Sequence, residues 1–139
     1  MNRRTRTVLR AVAPLALMGL IFFLSGQRAD EGHEWWDVIV RKLGHVGGYA
    51  LLTALWAWAL SRAVRRPVTV AAVIAFVYAC TDEYHQSFVE TRSGTSLDVA
   101  VDTVGIALAA LLLRARQPRR TDRAKVGARG EAARSSPAR

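Results

Sequence analysis

Four long apolar runs separated by short polar connections leave this chain little choice of architecture. They fall at about residues 8–26, 43–60, 68–80 and 97–113 of a 139-residue chain. A helix that crosses the hydrocarbon core of a bilayer needs about 20 apolar residues, and each run approaches that length. The first contains Pro14 and is followed by FFLSGQRADE, which carries no small-x-small cleavage pattern, so it reads as an uncleaved anchor and not a removed leader. Pro67 opens the third run, where a proline suits the first turn of a helix. The expectation is all-α: a four-helix transmembrane bundle over residues 8–113, between a basic N-terminus (1–7) and a basic tail (114–139).

Charge distribution orients the bundle. The net charge of +9 sits oddly with a chain that is 51% hydrophobic, so its placement matters more than its size. Sixteen of the 20 Lys and Arg lie in the N-terminal stretch through Arg10, the 61–66 connection and the tail, whereas nine of the 11 acids lie between Asp30 and Asp102. By the positive-inside rule both termini are cytoplasmic and the two acidic connections face outward. The tail, PRRTDRAKVGARGEAARSSPAR, has the composition of a disordered segment facing lipid headgroups. It lacks the interleaved aromatics of a single-strand binder, so no nucleic-acid partner is expected. In the first outer connection, GHEWWDVIVRK suits a short interfacial helix anchored by Trp35 and Trp36. Cys80 is the single cysteine, which excludes an internal disulfide and a cysteine zinc motif.

This topology puts polar residues inside the membrane. Counting about 1.5 Å per residue, Asp82 lies roughly 21 Å along the third span, His45 and Asp98 roughly 22 Å above the inner boundary, and Tyr49 and Asp102 roughly 17 Å above it. Three helices therefore bring polar groups to one layer of the outer leaflet. Helical phase agrees: Lys42, His45 and Tyr49 share a face, as do Asp98, Asp102 and Gly105, and Asp82 pairs with Gln86 beside Glu83. A carboxylate facing lipid costs at least about 2.5 kcal/mol, so these faces should turn toward one another. Gly47, Gly48 and Gly105 would let the backbones approach closely around them. His85 is out of phase with Asp82, and His33 falls in a polar connection.

Polar residues in membrane bundles often serve only as hydrogen-bonding glue, but glue rarely needs four neighbouring carboxylates. Arg92 alone cannot offset Asp82, Glu83, Asp98 and Asp102 in a low-dielectric layer, so a proton or a cationic group should sit among them, with Asp102 the candidate proton carrier. The candidate catalytic residues are His45, Asp82 and Glu83, placed for general acid–base work or for holding a divalent cation. The candidate ligand-binding residues are Lys42, Tyr49, Gln86, Arg92, Ser96, Asp98 and Asp102, with Arg92 suited to clamp an anionic head group. No cofactor is signalled beyond that cation. A proton-coupled carrier would need a polar path below Tyr49, and the lower half of every helix is apolar.

KLGHVGGY, DEYHQSFVETRSGTSLDVAVDTVG and IFFLSGQ together resemble the VanZ-like family of small bacterial membrane proteins. Lys42, His45, Tyr49, Asp82, Glu83, Gln86, Phe88, Arg92, Asp98 and Gly105 occupy matching positions. Two departures stand out: Glu90-Thr91 replaces a Pro-Gly turn, and Asp102 replaces an asparagine. The resemblance implies a multi-pass protein of the cell (plasma) membrane that works in the envelope, in a family whose founding relative is associated with resistance to teicoplanin; it implies no established reaction. The expected function is thus to act on or bind an envelope lipid or lipid-linked precursor. The alternative is a non-catalytic membrane binding or accessory protein whose polar cluster is structural.

Overall fold

A computed structural model describes residues 3–27, 35–89 and 96–116. All four elements in it are helices, α1 (Arg3–Ser25), α2 (Trp35–Leu60), α3 (Pro67–Gln86) and α4 (Ser96–Ala115), and the described residues include no strand. The residues of the N-terminal pair 1–2, the outer connections and the tail beyond Arg116 lie outside the described set, and with them His33, Arg92 and the reading of the tail.

The expected separate interfacial helix is corrected. Trp35 begins α2 itself, and the helix continues without a break through Lys42 and Gly44. No proline interrupts this stretch, and one glycine inside a helix costs only about 1 kcal/mol relative to alanine, too little by itself to end a long helix. Trp35 and Trp36 stack with ring centroids 4.2 Å apart on the exposed first turn.

The helices alternate in direction, so α2 and α4 run parallel, as do α1 and α3. Paired contacts between α2 and α4 keep a nearly constant separation along the chain, with Lys42 meeting Asp98 and His45 meeting Asp102. Likewise Tyr78 of α3 donates a 2.6 Å hydrogen bond to the Met18 carbonyl of α1, and Ser25 reaches Asp82 one to two turns further on. At the opposite, basic end Arg10 lies 4.8 Å from the Trp58 ring centre, and Arg114 bonds Thr69 at 3.2 Å. α2 packs on all three other helices; α1 leans on α2 and only grazes α3.

Small residues set the packing. The buried stripe of α3 is Val68, Ala71, Ala75 and Ala79, and the same face continues into Asp82, Glu83 and Gln86. Alanines let the helices approach closely, which is how membrane bundles gain contact without bulky cores. Against this stripe sit Tyr49 and Leu52 of α2 and Ile106 of α4. Gly105 allows the closest approach: a Cβ there would overlap the Val46 carbonyl oxygen and come within 3.0 Å of its carbon and Cα. Gly47 and Gly48 do not share that role. A Cβ at Gly47 would meet nothing within 4 Å, and one at Gly48 only the Ile21 Cδ1 at 3.8 Å.

The molecule is turned inside out relative to a water-soluble domain. Large apolar side chains are exposed on every helix, among them Phe23, Leu51, Val77 and Leu111, while Asp82, Glu83, Gln86 and Asp102 are buried. Two of the helices, α1 over Val8–Ser25 and α2 over Ile39–Leu60, are long and apolar enough to cross a membrane.

Candidate functional site

Each helix brings its polar residues to one end of the bundle for a local reason. In α2 and α4 the phase of the motif puts His45, Tyr49 and Asp102 on inward faces; in α3 the alanine stripe carries Asp82, Glu83 and Gln86 inward with it. The result is a buried polar cluster at the end opposite the basic one.

Asp82 is its anchor. Its Oδ2 accepts hydrogen bonds from Ser25 Oγ (2.8 Å), Tyr49 OH (3.3 Å) and Gln86 Nε2 (3.1 Å), so one oxygen ties α1, α2 and α3 together. Tyr49, 1% exposed, is fixed by this bond and by packing in the core. One turn below it, Thr53 donates to the Tyr49 carbonyl.

His45 and Asp102 form the second unit. His45 Nδ1 lies 3.0 Å from Asp102 Oδ1, a contact that requires one hydrogen between the two groups, on either partner. Asp102 is fully buried, whereas the His45 side chain is 20% exposed.

Glu83 is unlike its neighbour. It is 5% exposed, and neither of its carboxylate oxygens has a hydrogen-bond partner among the described residues. Asp82 Oδ1 and Asp102 Oδ2 are in the same position. Lys42 and Asp98 lie at the rim instead, 3.5 Å apart, with side chains 49% and 32% exposed. A pair so exposed contributes about 0–1 kcal/mol.

The structure therefore brings together His45, Tyr49, Asp82, Glu83, Gln86 and Asp102, and places Lys42 and Asp98 at their margin. Ser96 begins α4, its side chain outside the described residues together with Arg92. Ser25 was missed by sequence reasoning, although it stands in the SGQ that closes the first apolar run. His85 is not exposed: its ring stacks on Phe22 with centroids 4.1 Å apart.

A pocket of about 230 Å³ opens between α1 and α2, lined by Ile21, Leu24, Gly44 and Gly48 together with Ser25, Arg41, His45 and Tyr49. Its walls are almost wholly carbon, so it suits the apolar part of a ligand.

A family model described as VanZ/LLP1 matches residues 10–117. No curated protein and no solved structure matches the chain.

Proposed function

The chain belongs to the VanZ-like family, and on that premise we propose a four-span plasma-membrane protein, termini cytoplasmic, whose outer-leaflet site binds and acts on the polar head of an envelope lipid or lipid-linked precursor. The observation that carries this reading is the pocket between α1 and α2, which joins a carbon-lined groove to His45, Tyr49 and Ser25 and adds Arg41. An acyl or isoprenoid chain fits the carbon walls. Arg41, with Arg92 from the second outer connection, offers the planar fork that anionic head groups favour. His45 and Glu83 are then the groups able to exchange a proton with the bound head.

The exposed apolar residues on α3 and α4, such as Val73 and Leu108, support lipid contact for those helices too. Both carry carboxylates of the cluster, and Asp82, Glu83 and Asp102 among them are buried.

A second reading, a non-catalytic accessory protein with a structural cluster, is favoured by Asp82, which accepts from Ser25 of α1 and Tyr49 of α2 and so ties three helices together. Glu83, which has no hydrogen-bond partner among the described residues, separates the two readings. The test begins with a photoactivatable phospholipid analogue in membranes containing the protein. Gly44→Leu, whose added side chain enters open space at the pocket, should reduce crosslinking severalfold while leaving the thermal melt intact. Equal labelling of both proteins would remove the pocket from the proposal. Lipid profiling of a deletion strain then names the head group. Turnover of that lipid, lost in Glu83→Gln, separates an enzyme from a binder. Teicoplanin sensitivity, measured in the same strains, tests the resistance link.

A further inference from the structure

Hydrogen-bond accounting at the meeting of α2, α3 and α4 does not close. Asp82, Glu83 and Asp102 are 1%, 5% and 0% exposed, yet four of their six carboxylate oxygens have no partner among the described residues. A buried carboxylate oxygen without a partner is costly, and Glu83 has none on either oxygen while Asp82 and Asp102 each leave one unmet. The imidazole of His45 meets only one of the six oxygens, Asp102 Oδ1.

The same atoms have the spacing of a coordination site. One donor atom each from His45, Glu83 and Asp102 lies within 4.8 Å of the others. A first-row cation with bonds of about 2.1 Å holds adjacent ligands roughly 3.0–3.5 Å apart. His45 Nδ1 and Asp102 Oδ1, at 3.0 Å, already span such an edge. Glu83, the longest and least constrained of the three side chains, closes the remainder by rotating about its own bonds.

We propose that His45, Glu83 and Asp102 bind a divalent first-row transition cation, Zn²⁺ or Mn²⁺. One imidazole with carboxylate oxygens is the donor set for these ions, whereas Mg²⁺ and Ca²⁺ take oxygen alone. Asp82 adds charge to the site and is oriented by Ser25, Tyr49 and Gln86, the kind of outer support that fixes metal-ligating groups. With His45 neutral as a ligand, two positive charges offset two of the three carboxylates. Three protein ligands leave a coordination position open, able to take a phosphate oxygen or a water. Only that last use rests on the lipid reading; cation binding stands without it.

The test uses the full chain, purified in detergent without a histidine tag and stripped with a chelator. Titration with ZnCl₂ and with MnCl₂ should show one equivalent bound per chain and a melting temperature that climbs with the logarithm of metal concentration. Mg²⁺ should do neither at equal concentration. Glu83→Gln and Asp102→Asn should each weaken binding by about tenfold or more, and His85→Gln should leave it unchanged. Failure of the wild-type chain to take up either metal would overturn the proposal, whatever the variants do. So would uptake that survives Glu83→Gln, or that His85→Gln removes equally. A melt that ignores metal but collapses in Arg92→Ala would assign the carboxylates to that guanidinium instead. Lipid crosslinking that persists in the metal-free protein would leave the proposed function standing while the cation site is judged on titration alone.

Discussion

Asp82 and Glu83 are neighbours in sequence, both buried, and differently used. Asp82 Oδ2 receives three donors from three helices, so removing it takes the acceptor from the buried hydroxyls of Ser25 and Tyr49 in a medium that cannot solvate them. Asp82→Ala should cost about 3–5 kcal/mol, the range for breaking a buried charged network, and Ser25→Ala about 1 kcal/mol. Asp82→Asn should fall between wild type and Asp82→Ala, because the amide oxygen still accepts. Glu83→Gln should leave the melt unchanged or raise it, since it removes a charge and breaks no hydrogen bond among the described residues. Thermal melts of the four variants in detergent check the order. Equal damage from Glu83→Gln and Asp82→Ala would make both carboxylates structural and weaken any chemical role for Glu83.

At the scale of helices, the site exists because α2 and α4 run parallel in matched register: Lys42 opposite Asp98, His45 opposite Asp102, Val46 against Gly105. Gly105 sets that register by letting the α4 backbone rest on the α2 carbonyl of Val46. Gly105→Ala should therefore push the helices apart and cost about 1–3 kcal/mol, the usual range for overpacking. Gly47→Ala, with open space around its Cβ, should instead be neutral or stabilise by up to about 1 kcal/mol through helix propensity. Melts of the two single variants decide it; similar losses in both would mean that backbone entropy, not close approach, is what glycine supplies. This contrast also marks how far the sequence could be read. Helix number, approximate bounds and the inward phase of His45, Tyr49, Asp82 and Asp102 follow from apolar periodicity, because a buried carboxylate has to share the face that packs. Which of three glycines carries the contact does not follow, since periodicity fixes a face and leaves the facing atoms open. Ser25 escaped for a similar reason: one serine at a helix end is ordinary until Asp82 is seen beside it. The interfacial helix was misjudged because amphipathic composition around Trp35 and Trp36 signals a surface, and only the absence of a break shows that residues 35–42 are the first part of α2.

The described part of the molecule is apolar outside, with its buried acids at one end and a group of arginines at the other. Arg10, Arg62, Arg65, Arg66 and Arg114 belong to that basic end, which also holds the start of α1 and the finish of α4. The four-span placement proposed above puts both termini on one side, and by the positive-inside rule the excess of arginine would make that side the cytoplasm. In the proposed placement the opposite end, with Ser25, His45, Glu83 and Asp98, would meet the outer leaflet, within reach of an envelope lipid. Single cysteines introduced at Gly32 and Thr91 in a Cys80→Ala background should react with a membrane-impermeant thiol reagent on intact cells. A cysteine at Ala63, in the turn between α2 and α3, should react only after the cells are opened. Labelling at position 63 alone would invert the bundle, carry the His45–Glu83–Asp102 cluster to the cytoplasmic leaflet, and replace an envelope precursor as ligand with a lipid of the inner face. Labelling at all three positions in intact cells would exclude a bundle that crosses the bilayer between them. The expected pattern, 32 and 91 without 63, is the one that lets the charge distribution, the exposed apolar belt and the buried acids all be satisfied by a single placement in the membrane.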